Sequence, residues 1–238
     1  MKDFLDNLTF VIPARLGSSR IKEKVLLPFP FNSEKNLITH KVDAIRRYLP
    51  SAKIILSCGE EKLFDIADDL GLLKSIRTGK HINGHEVGTR EAICEVIKDV
   101  TTEFVAWTPV VTPLHDHVII QKSLEKFYAG LNRNEFDSLT TGVRIYEYLW
   151  QNGQPLNYHA DERHPDSQFL PELYRLSNGI YICSKKIMHE RGYFLGHKPH
   201  ILPIPKICAF DIDEQEDYDL ACGASQWYEK VRDEFYST

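Results

Sequence analysis

The sequence predicts an α/β protein: one domain in which a mostly parallel sheet is covered by helices on both faces. Three observations lead to it. Strand-like apolar runs alternate with helix-periodic stretches through the first half, the connections between them are short, and two of the helix patterns end at a glycine.

Residues 8–12, LTFVI, are the first apolar run. Ile38, Val42, Ile45 and Leu49 then recur at spacings of four, three and four, as one face of a helix does. AKIILSC at 52–58 reads as a buried strand, EEKLFDIADDLGL as a helix ending near Gly71, and TREAICEVIKDV at 89–100 as a second amphipathic helix. A strand over EFVAW at 103–107 and a helix over HDHVIIQKSLEKFYAG, with Gly130 near its stop, complete the regular alternation. Between about 138 and 183 the pattern turns strand-rich: SLTTGVRIYEYLW, QPLNYH and LYRLSNGIYIC, broken by the polar ADERHPDSQF. Such a stretch inside an α/β chain reads as an insertion that serves as a lid or a subunit contact. The chain then returns with KKIMHERGYF, a short strand ICAFDID at 207–213, and a last helix with Leu220, Ala224, Trp227 and Val231 on one face. Without repeats or low-complexity segments, residues 1–238 read as a single domain.

An apolar fraction of 42% with 26% charge is enough to build a substantial core. The net charge of −5 excludes a general nucleic-acid binder. The first residues lack the uncharged apolar core of a signal peptide, and no run approaches the roughly 18 apolar residues of a membrane span. The five cysteines are unevenly spaced, form no metal-type pair, and read as reduced thiols of a cytoplasmic protein.

Against this acidic background, residues 12–24, IPARLGSSRIKEK, crowd Arg15, Arg20, Lys22 and Lys24 into the loop that leaves the first strand. Ligands of open α/β sheets collect at the carboxyl ends of strands, so the loop stands where a binding site belongs. Gly17 lets the backbone approach a phosphate, Ser18 and Ser19 add hydroxyl donors, Arg15 and Arg20 are fork-shaped donors, and Lys24 is a mobile point charge. A small anionic ligand accounts for the cluster; a solvated basic loop with a turn glycine is the plainer reading. The spacing is not that of a Walker loop.

A second signal is FDIDEQED at 210–217. In an extended chain Asp211 and Asp213, separated by Ile212, point to one side, and two hard oxygen ligands suit Mg²⁺ shared with substrate phosphates. The structural alternative makes Asp213 an N-cap with Glu216 three residues on, a capping box for the last helix. Asp116 of the HDH triplet reads as the N-terminal charge of its helix, not as part of a metal site.

Taken together these blocks resemble the cytidylyltransferases that activate acidic sugars, the CMP-sialic acid and CMP-KDO synthetases. IPARLGSSRIKEK is similar to their signature loop, with Lys24 nine residues after Arg15. TPVVTPLHD, LPELYRLSNGIYI and DIDEQED resemble segments of the sialic acid branch, and VGTREAICEVI a helix start of the KDO branch, all in family order. The resemblance implies a Rossmann-like nucleotidyltransferase in which CTP sits over the first loop and a sugar-acid hydroxyl attacks its α-phosphorus. It implies Arg15, Lys24 and Asp211 as catalytic residues, and Ala14, Arg15, Gly17, Ser18, Ser19, Lys24, Gly88 and Arg90 on the nucleotide. The acceptor would meet Thr112, Arg144, Gln168, Ser177 or Asn178, Tyr181 and Phe194, and Mg²⁺ would sit on Asp211 and Asp213. The family pattern also implies a homodimer joined through the strand-rich segment, with Phe194 or its neighbours closing the partner's acceptor pocket. The chain departs from that pattern at Val111, at Ser167-Gln168 and around Ser177, all on the acceptor side.

Overall fold

The computed structural model describes residues 1–82 and 87–236. In chain order the strands are β1 (Leu8–Pro13), β2 (Lys53–Cys58), β3 (Leu73–Ile76), β4 (Phe104–Trp107), β5 (Ser138–Ile145), β6 (Trp150–Gln151), β7 (Gln154–Pro155), β8 (Leu173–Ser184) and β9 (Pro199–Pro203). The helices are α1 (Lys2–Asp6), α2 (Leu37–Tyr48), α3 (Glu61–Asp69), α4 (Thr89–Val96), α5 (His117–Asn132), α6 (Lys185–Arg191) and α7 (Gln215–Tyr236).

Seven strands form the main sheet in the order β3-β2-β1-β4-β8-β5-β9, and only β8 runs against its neighbours. Period-two alternation divides the core. Phe10, Ile12, Ile54, Leu56, Ala106 and Ile182 face α2, α3, α5 and α7, whereas Val11, Ile55, Val105, Trp107, Tyr181 and Cys183 face α4 and α6. Strands buried on both faces are continuous apolar runs, which is why LTFVI and KIILSC were readable as strands.

Three expectations change in the folded chain. The strand-rich stretch 138–183 is built into the main sheet at both ends, through β5 and β8. The part outside the sheet is 146–172, with the small β6–β7 hairpin. Residues 207–213 are not a strand: a 3₁₀ turn occupies Lys206–Ala209, and the last strand is β9, an edge strand that begins and ends on proline. α5 ends at Asn132, two residues past Gly130, in keeping with a stop near that glycine. The glycine is needed there because a Cβ would lie 2.0 Å from the Phe136 ring. On α7 the buried residues are Tyr218, Ala221, Cys222, Ser225 and Tyr228, while Leu220 and Trp227 are each 51% exposed.

None of the five cysteines is joined in a disulfide, and four of them are buried. Among the described residues no helix is long and apolar enough to cross a membrane.

Candidate active site

The loop after β1 lies across the carboxyl ends of the central strands and is held there by residues that sequence reasoning passed over. Ala14 N donates to the Ser57 carbonyl at the end of β2, 2.9 Å away. Arg77, just past β3 and only 6% exposed, donates through Nη2 to the carbonyls of Ala14 and Ser57, and through Nη1 to the His81 carbonyl. Burial lowers its pKa, opposed by Glu60. Glu60 in turn accepts from Leu16 N at 2.8 Å and from Gly59 N at 3.1 Å. Both residues stand at strand ends in the sequence, Glu60 after SCG and Arg77 after KSI, which is the signal that could have found them.

The loop encloses a cleft of about 220 Å³ with Pro13, Arg15, Ser18, Ser19, Arg20 and Lys24 on one side, Pro109, Val110 and Val111 on another, and Asp213. Gly17 is exposed at the crest of the loop. Arg15 is half-buried, and desolvation lowers its pKa against the pull of Glu60. Ser18 Oγ accepts weakly from Ile21 N at 3.4 Å. Lys24, its side chain 13% exposed, donates to the Ile212 carbonyl at 2.5 Å and lies 3.4 Å from Asp213 Oδ1. Arg20 Nη2 reaches the same Asp213 oxygen at 2.6 Å. Loop cations and the second acidic motif, almost two hundred residues apart in sequence, therefore meet at one place.

Asp211 and Asp213 flank Ile212, which is fully buried and donates its N–H to the Val111 carbonyl at 2.8 Å. The pair shares a neighbourhood without the regular alternation of a strand. Asp211 Oδ2 accepts from Asn178 Nδ2 at 3.1 Å, whereas Asp211 Oδ1 is buried with no hydrogen-bond partner among the described residues. Burial raises the Asp211 pKa, the Asn178 hydrogen bond opposes that, and Asp213 adds to it. An orphaned carboxylate oxygen beside a second carboxylate is a donor set that fits a hard divalent cation. The described residues hold no group of three or more His, Cys, Asp or Glu side chains placed for a metal, so such an ion would complete its shell with phosphate and water. Asp213 is not the cap of α7: Asp217 accepts from the N–H groups of Asp213 and Glu214, so the capping carboxylate is one residue beyond Glu216. Asp116 caps α5 as expected, accepting from Val118 N and Ile119 N.

The remaining candidates divide. Asn178, in the left-handed region at φ 54°, bonds Asp211, and Tyr181 Oη lies 3.4 Å from its amide oxygen. Burial pushes the Tyr181 phenol up to about 12, and its ring stacks on Phe194, which also packs edge-on against Trp107. Ser177 is a core residue, 1% exposed and hydrogen-bonded to Thr141 Oγ1, so of the two alternatives Asn178 is the one beside the acidic motif. Thr112 is also fully buried, with its hydroxyl unpartnered among the described residues and its carbonyl accepting from Lys41. Arg144 lies over the Tyr146 ring at 4.7 Å, and Gln168 is exposed in the 3₁₀ turn Ser167–Phe169. Gly88 is the N-cap of α4. Arg90 donates to the Glu190 carbonyl of α6 at 2.9 Å, and neither residue lines the loop cleft. A larger cavity of about 310 Å³ lies between α2, α5 and α7, and no candidate from the sequence lines it.

Several solved structures share this fold. A CMP:2-keto-3-deoxy-manno-octonic acid synthetase complexed with CTP superposes with a TM-score of 0.62 at 14% identity, covering 93% of this chain and 99% of that one. The 4-diphosphocytidyl-2C-methyl-D-erythritol synthase of Anaerococcus prevotii DSM 20548 gives 0.62 at 13% identity, over 94% of this chain and 99% of the other. A cytidylyltransferase from Leptospira borgpetersenii serovar Hardjo-bovis (strain JB197) gives 0.61 at 15%, over 96% and 94%. No curated protein matches the chain in sequence. At these identities the likeness is one of fold, and with the sheet order and the loop cleft it defines an α/β protein of the nucleotidyltransferase type. The narrower assignment comes from sequence: a family model of cytidylyltransferases matches residues 9–223. The chain belongs to the cytidylyltransferase family, enzymes that transfer CMP from CTP.

Proposed function

We infer that this cytidylyltransferase transfers CMP from CTP to a hydroxyl of an acidic sugar, a sialic acid-like nonulosonic acid or a KDO-like octulosonic acid, with release of pyrophosphate. The observation that carries the reading is the junction of the phosphate-type loop with the carboxylate pair, where Lys24 and Arg20 meet Asp213 beside the orphaned Asp211 oxygen.

In this mechanism the N–H groups around Gly17 and the hydroxyls of Ser18 and Ser19 hold the triphosphate, and Arg15 and Arg20 neutralise it. The acceptor oxygen forms a bond to the α-phosphorus as the bridging bond to the β-phosphate breaks, and the hydroxyl proton leaves to solvent. Lys24, steered by the Ile212 carbonyl, directs its remaining N–H toward the charge that develops in transfer. Asp211 and Asp213 would hold Mg²⁺, which supplies charge neutralisation at the phosphates and lowers the pKa of a bound hydroxyl. Asn178 keeps Asp211 oriented through its other oxygen. In this reading the acceptor would rest against Asn178 and Tyr181.

The assembly in this reading is a homodimer. Tyr146, Trp150 and Phe169, all outside the main sheet, are 48%, 58% and 71% exposed, an apolar surface of the kind that partners cover. Phe194 is engaged inside its own chain, so the neighbour available to a partner's pocket is Tyr193, which is 42% exposed.

The test is pyrophosphate release measured with four nucleoside triphosphates against a panel of acidic sugars, a sugar 1-phosphate and a 2C-methyl-D-erythritol-type acceptor. Turnover with CTP and an acidic sugar is expected. Turnover confined to either of the other two acceptors overturns the acceptor assignment, and selective use of another nucleotide overturns the reading itself.

A further inference from the structure

Lys41 has no part in the mechanism above, yet it is buried in an apolar setting that has little use for a charge. It lies on the stripe of α2 formed by Ile38, Val42 and Ile45 and is 1% exposed. Its Nζ donates to two backbone carbonyls, Thr112 at 3.1 Å and His115 at 3.2 Å. Asp116 is the carboxylate whose charge reaches it, and burial lowers its pKa to about 7 against that attraction. His40 and His115, the other titratable groups facing it, are held toward their neutral forms by burial, with Lys41 adding to the effect. An amine in such a place costs more than the methylenes that could fill it, unless what it holds is needed.

What it holds is the turn between β4 and α5. Pro109, Val110 and Val111 of that turn form one wall of the cleft. The Val111 carbonyl accepts from Ile212 N at 2.8 Å, and the Ile212 carbonyl accepts from Lys24 Nζ at 2.5 Å. The next residue, Asp213, pairs with Arg20. A shift of the turn is therefore passed through one hydrogen bond to the peptide that anchors the loop lysine.

We propose that Lys41 is a positioning residue for nucleotidyl transfer: by holding the Thr112 and His115 carbonyls it sets the turn that seats Ile212, and so sets where Lys24 meets the triphosphate. The proposal rests on the reading of the cleft given above and extends it to a residue more than one hydrogen bond from the substrate.

Two substitutions and a cycle test it. Lys41→Met keeps the side chain as far as its ε carbon and removes the donors; Lys41→Gln keeps two N–H donors without the charge. Lys41→Met is expected to lower kcat at saturating CTP about 10-fold, as small misplacements of reacting groups do, with KM for CTP within about 3-fold. Lys41→Gln is expected to recover part of the loss. In a Lys24→Ala background the same substitution should cost less than about 2-fold, because residues that act through one another are not additive. A general structural role predicts instead a loss that multiplies with that of Lys24→Ala, and that result overturns the proposal. So does an unchanged kcat in Lys41→Met. If Lys41→Met does not fold by circular dichroism, Lys41→Gln is read in the same cycle with the same criteria. Wild-type kcat in Lys24→Ala alone overturns the role of Lys24 and this proposal with it, whereas an impaired Lys24→Ala with additive Lys41 variants overturns this proposal only.

Discussion

The roles proposed for Lys24 and Asp211 rest on what each side chain touches. Lys24 spends one N–H on the Ile212 carbonyl and turns a second toward Asp213 Oδ1, 3.4 Å away, which together aim the ammonium. Lys24→Ala is expected to cost turnover more than CTP affinity, on the order of 3 kcal/mol in the transition state, read as kcat against KM in steady-state kinetics. Asp211 is a residue under tension, since burial raises its pKa and one of its oxygens has no partner among the described residues. A carboxyl with a raised folded-state pKa is stabilising while protonated, and that contribution is lost as pH rises through the folded value. Asp211→Asn, which stays neutral, should therefore melt higher than the parent at pH about 7, with the gap closing as pH falls through the raised folded-state value, where the parent becomes protonated too. The same variant should lose most of its turnover at saturating Mg²⁺, as should Asp213→Asn. Thermal melts across pH and a Mg²⁺ titration of the rate check the two halves separately, and near-parental rates in both variants would remove the metal assignment.

At the scale of elements, the loop after β1 is ordered by its neighbours more than by itself. Within 14–24 the backbone makes few bonds of its own, and its entry is fixed by the Arg77 guanidinium on the Ala14 and Ser57 carbonyls and by the Glu60 carboxylate on Leu16 N. Arg77→Met leaves these buried carbonyls without their charged donor, a loss of about 2 kcal/mol, or roughly 4–8 °C in melting temperature for a chain of this length. Because the same donor fixes the start of the phosphate-type loop, KM for CTP should rise in parallel. A lower melting temperature with unaltered CTP affinity would separate Arg77 from the site. Most of the elements were legible in the sequence because their residues face apolar layers with a clear period. The misses have a common cause. β3 and β9 are edge strands, short and partly exposed in LKSI and bounded by proline in PHILP, so neither carries the continuous apolar run of a central strand. The exposed Leu220 and Trp227 misled the reading of α7, where the packed side is that of Tyr218, Ala221, Cys222 and Tyr228.

For the whole molecule, the open question is how the surface outside the sheet is used. The segment 146–172 is internally tied: Trp150 Nε1 donates to Tyr158 Oη, Tyr148 Oη donates to the Pro165 carbonyl, and Asn157 bridges Leu149 and Glu147. It is thus a shaped projection that keeps aromatic surface in solvent, and light scattering at micromolar concentration is expected to give the mass of two chains. Trp150→Glu should shift that mass toward one chain by placing charge in the contact. A monomeric parent with full activity would remove the shared-site part of the reading.

The sequence by itself determined the α/β class, the central strands, the basic loop at the end of the first strand and the acidic motif near the other end of the chain, because each is written in local periodicity or local chemistry. Only the tertiary structure decided that Lys24 and Arg20 meet Asp213, that Asn178 rather than Ser177 reaches Asp211, and that Lys41 is fully buried beneath the turn that borders the cleft. Lys41 could have been noticed as a lysine among Ile38, Val42 and Ile45, but its partners could not, since they are backbone carbonyls some seventy residues away. Periodicity reports which face of an element is buried; which groups meet beneath that face depends on the order in which the strands enter the sheet, and no local pattern carries that order.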